Sequence, residues 1–312
     1  MTSTRTNSPA SAVSSRGGSR WLGPILLANL VAEVGIVVTG GLVRVTGSGL
    51  GCPTWPECVD GSITPTVEQA EGFHKYIEFG NRMLTGVLLV LALATVVVVW
   101  RAAPRRAMKV AAGLVLAGVI GQAVLGGITV LLGLHPAIVA AHFLVSMALV
   151  AVSSYLWFAR HEEAGAPRAL VAPLATRLGW VTVAVGAAVL LLGTVVTGSG
   201  PHSGDADEPN RFGFDPRTVS WLHADLVMIF LGLVVATWLA ARLTAVDDER
   251  GPARAWLVVL GVSLAQGLIG YVQYFTGLPE ALVIAHMLGA SLLVVALTNG
   301  ILALRRREPL AG

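Results

Sequence analysis

Charge is scarce in this chain. Asp, Glu, Lys and Arg make up 12% of its 312 residues against 54% hydrophobic, and the mean hydropathy is +0.74. So little charge excludes a soluble domain of this size and leaves an integral membrane protein. The opening "MTSTRTNSPASAVSSRGGSR" lacks the compact apolar segment and cleavage site of a signal peptide, and its Ser, Thr and Gly content predicts a disordered tail over residues 1–21. Cysteine is nearly missing too. Cys52 and Cys58 are the only two, both in "GSGLGCPTWPECVDG", a loop expected on the outer side. An oxidising compartment and a six-residue spacing suit a disulfide; redox exchange and a reduced pair are the other readings.

Apolar runs are abundant. Stretches long enough to cross a hydrocarbon core of ~30 Å, each needing about 20 residues, recur near 22–46, 76–100, 108–132, 137–159, 178–198, 218–242, 255–277 and 280–304. Sixteen of the 21 Lys and Arg residues cluster in the tails and alternate connections: Arg5, Arg16 and Arg20; Arg101, Arg105, Arg106 and Lys109; Arg160, Arg168 and Arg177; Arg242, Arg250 and Arg254; Arg305 to Arg307. All then lie on one side, and the positive-inside rule puts both termini in the cytoplasm of a multi-pass cell-membrane protein. The sequence pI near 9.2 reports this topology and calls for no nucleic-acid partner.

The chain repeats itself. "VTGSG" occurs at 45–49 and 196–200, each time leaving an apolar run for a long loop. "GQAVLGGITVLLGLHPAIVAAH" at 121–142 aligns with "AQGLIGYVQYFTGLPEALVIAH" at 265–286 at a constant offset of 144, pairing Gln122 with Gln266, Gly133 with Gly277 and His142 with His286. Spans 2 and 6 align more weakly at an offset of 142, which sets Asn81 opposite His223. The expected fold is all-α: eight transmembrane helices as two pseudo-twofold-related four-helix bundles, residues 22–160 and 178–304, with a cytoplasmic linker at 161–177 and a tail at 305–312. An even number of spans per half predicts parallel repeats, and such bundles build cofactor sites from facing helices.

Three of the seven histidines stand apart. His161 falls in the linker, and His135 and His202 in outer loops, where a solvated histidine is expected. His142, His223 and His286 each sit about six residues inside the outer end of a span, a depth of ~9 Å. Two imidazoles bind one haem iron only when they face each other at one depth, a condition that His223 on span 6 and His286 on span 8 meet. The competing reading, a histidine hydrogen-bonded to a neighbouring helix, explains one such residue better than three. Zinc lacks a Cys or acidic co-ligand here, and copper a Met or Cys.

On span 2, His74, Glu78, Asn81 and Arg82 share one helix face, expected to point towards His142 on span 4. Glu78 and Arg82 read either as an i, i+4 ion pair at the membrane boundary or as a carboxylate that moves protons or stabilises positive charge beside a substrate. Arg44 and Arg82 are candidates for haem propionates, with interfacial snorkelling as the alternative. Glu33 and Asp225 are further ionisable groups expected to face the bundle interior.

Together these residues resemble the haem A synthase family. "GGLVRVTGSGLGCPTWPEC" is similar to that family's first span and outer loop, and Glu78 with histidines on spans 4, 6 and 8 completes the pattern over nearly the whole chain beyond residue 20. The resemblance implies an oxidoreductase that converts the C8 methyl of haem O to the formyl group of haem A for terminal oxidases. It implies haem b between His223 and His286, a substrate site at His142, Glu78 as catalytic carboxylate, and a bridge between Cys52 and Cys58. It also implies haem O synthase and cytochrome c oxidase assembly factors as partners within the bilayer, and leaves room for a homo-oligomer. The family often reads E-x-x-H-R on span 2, whereas this chain reads "EFGNR". The expectation is therefore that His142 alone ligates the substrate haem, with Asn81 opposite and His74, ~10 Å nearer the surface, as a replacement ligand. A dihaem electron-transfer subunit is the main rival. A haem or proton transporter is the second, although the inner halves of the spans are nearly free of the ionisable residues it would need.

Overall fold

The computed structural model describes residues 16–67, 71–103, 105–205 and 209–309. Eight helices of 24 to 30 residues follow one another: α1 (Arg16–Val45), α2 (His74–Ala102), α3 (Arg106–Leu131), α4 (Pro136–Ala159), α5 (Pro173–Ser199), α6 (Pro216–Leu243), α7 (Gly251–Phe275) and α8 (Glu280–Ala303). All eight are long and apolar enough to cross a membrane. Their outward faces carry Leu93, Val97, Trp180 and Leu268, well exposed in the isolated chain, as lipid contact requires. The protein is a multi-pass membrane protein with an all-α fold.

Each helix packs on its chain neighbours within its half, and α1 also packs on α4 and α5 on α8. Each half is thus a four-helix bundle whose diagonals are α2 with α4 and α6 with α8. The halves meet where α4 and α1 pack on α8 and α4 packs on α5. At this seam Leu30, Val37, Met147, Val150 and Val294 form a buried cluster. A side chain at Gly41 would come within 2.8 Å of Met287 Sδ, so the small residue lets α1 approach α8 closely. The halves have separate cores, one around Leu26, Val99, Met108 and Val115 and one around Phe230, Trp256 and Val259.

The repeat seen in the sequence is also a repeat of backbone. Gly133 and Leu134 after α3, and Gly277 and Leu278 after α7, all take positive φ. In each turn the leucine N–H closes on a carbonyl five residues back, Leu134 on Thr129 and Leu278 on Gln273. The left-handed conformation costs a leucine steric energy, and it recurs because both helix pairs need the same tight reversal.

The structure departs from the expected segment limits most clearly in two helix starts and in the expected tail. Helix α1 reaches back to Arg16, inside the expected tail, while residues 1–15 lie outside the described residues. Helix α5 starts at Pro173, within the expected linker, because proline at the first turn is pre-set for the helix and has no N–H to leave unpaired. The expected tail is paired: β2 (Arg305–Arg307) runs antiparallel to β1 (Pro167–Ala169) of the linker. Glu162 draws these pieces together, 2.6 Å from Arg105 and 3.4 Å from Arg307, so the linker is folded against residues 305–307.

Candidate functional site

A cavity of about 410 Å³ spans both halves, lined from α2 by Asn81, from α4 by His142, from α6 by His223 and from α8 by His286. These are the two diagonals, so each half presents two facing side chains across the space. The residue pairing expected from the repeat, Asn81 with His223 and His142 with His286, places its four members at equivalent positions of one cavity.

The three imidazoles are seated alike. A β-carbon on Gly126 would lie 3.3 Å from His142 Cε1, one on Gly193 3.2 Å from His223 Cε1, and one on Gly270 3.3 Å from His286 Cε1. Each ring therefore turns its Cε1 edge to a glycine of the preceding helix, where a larger residue would press on it. Gln122 Nε2 donates to the His142 carbonyl at 2.9 Å, and Gln266 Nε2 to the His286 carbonyl at 2.9 Å, fixing both helices at that level. The Nδ1 atoms of all three histidines are buried without a hydrogen-bond partner among the described residues. Buried polar atoms are seldom left so, and three at once suit rings held for a ligand. Among the described residues no group of three or more His, Cys, Asp or Glu is placed to hold a metal ion, so the donor set is one of paired imidazoles, suited to axial ligation of a haem and not to a bare cation.

Asn81 is engaged: its Oδ1 accepts from Thr39 Oγ1 at 2.7 Å, which orients the amide that faces His142 across the bundle. Glu33 also lines the cavity from α1, as expected of an interior acid, and is 2% exposed. Asp225 does not face the interior; it is exposed. Two residues beyond His223 is about 200° round the helix, so with His223 in the cavity Asp225 must point away.

Glu78 lies one turn before Asn81 and Arg82 directly follows it, and neither lines the cavity. They hold the loop that carries the cysteines. Cys52 and Cys58 form a disulfide, both fully buried. The Cys52 N–H donates to Glu78 Oε2 at 2.6 Å, and Arg82 Nη2 lies 2.6 Å from Glu78 Oε1. Arg82 also donates through Nε to Glu78, through Nη2 to the Cys52 carbonyl at 2.7 Å, and through Nη1 to the carbonyls of Thr54 and Glu57. A guanidinium has five N–H donors, and all five are used, so Arg82 has none to offer a propionate in this arrangement. The ion-pair reading is met, i to i+4, but the pair is buried, with Glu78 only 5% exposed, and it clamps a loop over the N-terminal half instead of facing the cavity. From that loop Trp55 reaches α3, where a β-carbon on Gly127 would come within 2.5 Å of its ring.

Arg44 lines the cavity and crosses to the other half, donating to the carbonyls of His202 at 2.6 Å and Thr197 at 3.0 Å. His74 is exposed at the start of α2, with Nδ1 2.8 Å from Ser48 Oγ, away from the cavity. His135 and His161 are exposed as expected, whereas His202 bonds the Leu278 carbonyl at 3.0 Å. The glycine seats escaped sequence reasoning, yet Gly126 and Gly270 stand at the repeat offset, each 16 residues before its histidine.

Residues 24–206 match the model of a family described as cytochrome oxidase assembly protein. The chain is 30% identical to a protein named Heme A synthase from Methylobacterium sp. (strain 4-46), over 88% of each chain. It is 28% identical to one of the same name from Lysinibacillus sphaericus (strain C3-41), over 88% of this chain and 92% of the relative. A third, from Bacillus pumilus (strain SAFR-032), is 34% identical over 45% of each.

Proposed function

Starting from the chain's membership of the haem A synthase family, we propose that it oxidises the C8 methyl of haem O to a formyl group, with a resident haem b in the C-terminal half. The observation that carries this reading is one cavity with unequal ends, paired imidazoles in one half and an imidazole facing an amide in the other. His223 and His286 would hold haem b, which supplies reversible one-electron transfer when bound. Their glycine seats and unpartnered ring nitrogens fit that group.

In the N-terminal half His142 binds the substrate haem O, and Asn81, held by Thr39, faces it without a second imidazole. Turning a methyl into a formyl group is a four-electron oxidation: with water as the oxygen source, CH3 and H2O give CHO, four protons and four electrons, so protons must leave the site and the electrons must pass to an external acceptor. Glu78 is the carboxyl assigned to that task. In the present arrangement it meets the substrate only if Cys52 and Arg82 release one of its oxygens, which makes the disulfide loop part of the working site. Arg44, at the loop end of the cavity, is positioned for a propionate. Both termini lie in the cytoplasm, and cytochrome oxidase assembly supplies the product's destination.

Extraction of haem from the purified protein tests the reading. Haem B with haem O or haem A supports it. Two equivalents of haem B, with no haem A formed from added haem O, would favour a dihaem electron-transfer subunit.

A further inference from the structure

Among the described residues Glu33 is the one acid that lines the cavity, and the reaction as described does not use it. It is 2% exposed, its Oε1 is buried without a partner, and no hydrogen bond or ion pair reaches its carboxyl among the described residues. One turn away on the same face, Asn29 Nδ2 donates to Ser153 at 2.9 Å, and no bond joins Asn29 to Glu33 among the described residues. A buried carboxyl left in this state is costly unless a ligand completes it. Extending the offset of the "VTGSG" repeat sets Ala184 at the matching place of α5, so the C-terminal half has no such group.

Depth says which part of a ligand Glu33 meets. It lies eleven residues before Arg44 on the same helix, a rise of ~16 Å, and His142 lies between the two levels. A haem ligated at His142 with its propionates towards Arg44 presents its opposite edge to Glu33. In haem O that edge bears a hydroxyethylfarnesyl group; in haem B a vinyl group stands there. We propose that Glu33 is a specificity residue that accepts a hydrogen bond from the substrate's hydroxyl, so that the N-terminal half takes haem O in preference to haem B. A site built to bond a hydroxyl rejects the analogue without it, because its own polar group is then buried unpaired. The inference rests on haem O being the substrate of this half.

The test is competition between haem O and haem B for the N-terminal half of the full-length protein, read by chromatography of the extracted haems. Wild type is compared with Glu33→Leu, which keeps volume, and Glu33→Gln, which keeps an acceptor. The farnesyl tail contributes equally in all three and cancels. The expected result is that Glu33→Leu lowers the preference for haem O by about 10- to 100-fold, the worth of one hydrogen bond to a charged group, while Glu33→Gln largely keeps it. In infrared difference spectra, binding haem O should shift a carboxyl band that Glu33→Gln lacks. An unchanged preference in Glu33→Leu, or no carboxyl shift on binding, overturns the assignment. Wild type that takes up no haem O at all would instead defeat the underlying reading of function.

Discussion

In the C-terminal half the diagonal helices α6 and α8 each bring an imidazole into the cavity; in the N-terminal half the same diagonal, α2 and α4, brings Asn81 and His142. The scaffold is common to both, down to the Gly-Leu turns and the glutamines that hold the histidine carbonyls. What differs is chemical equipment. Among the described residues the N-terminal half alone has an acid on the cavity wall, a disulfide loop and a carboxylate beneath it. A resident electron carrier is best held by two fixed ligands and needs little else, whereas a substrate site must choose its ligand, move protons and let product leave. The frame repeats, and in the proposed function the departures from symmetry mark the half that does chemistry.

The comparison breaks first at the C-terminal ligands. His223→Ala or His286→Ala should remove haem b, halving the haem bound at saturation and abolishing haem A formation, while haem O still binds in the N-terminal half. Pyridine haemochrome titration checks this, and loss of haem from both halves would argue against separate sites. Next, Glu78→Gln should lower haem A formation by roughly 10²–10⁴-fold with both haems retained; a loss explained fully by lower haem content would make Glu78 a purely structural clamp.

Packing gives a third contrast. Trp256 is fully buried in the C-terminal core, where Nε1 donates to the Gly300 carbonyl at 3.1 Å, and its repeat counterpart is Ala112. Trp256→Ala should cost about 3–5 kcal/mol, seen as earlier thermal loss of haem b than of substrate haem. Replacing Cys52 and Cys58 by serine opens a small loop in the other half and should cost about 2 kcal/mol, shown by a lower melting temperature and easier proteolysis at 52–67.

The smallest effect concerns the helix starts. Asp215 caps α6, accepting from the Thr218 N–H at 2.8 Å, whereas Phe73 before α2 makes no side-chain cap. The bonds from the Thr218 hydroxyl and N–H hold the Asp215 carboxyl below its ordinary value of 3.8. Its contribution is therefore complete above that value and is lost as pH falls through the lower, folded one. Amide protection factors at the start of α6, corrected for the intrinsic pH dependence of exchange, should fall below pH ~3.8, and in Asp215→Ala they should be low at every pH.

The eight spans and the two halves were legible because crossing a membrane imposes length and apolarity on each segment, and the offset of 144 survives in side chains that the fold uses twice. The histidines were legible for a related reason, since ionisable groups in such spans are costly and stand out. Orientation at the helix ends was not legible. Sharing a face with Asn81 put Glu78 towards the substrate, but the backbone N–H of Cys52 and four loop and side-chain acceptors around Arg82 turn the pair to the loop, and no periodicity encodes a loop's path. The pairing of residues 305–307 with the linker was hidden likewise, because three arginines in sequence read as a solvated tail until Glu162 and Glu249 are seen beside them.

The central claim is that the substrate half offers one histidine and the resident half two. The direct test is the low-temperature electron paramagnetic resonance and optical spectrum of Asn81→His loaded with haem O, compared with wild type. Wild type should show one bis-histidine low-spin haem and one haem with a single histidine, and Asn81→His should convert the second to the bis-histidine form with loss of activity. Identical spectra in the two proteins would contradict the account.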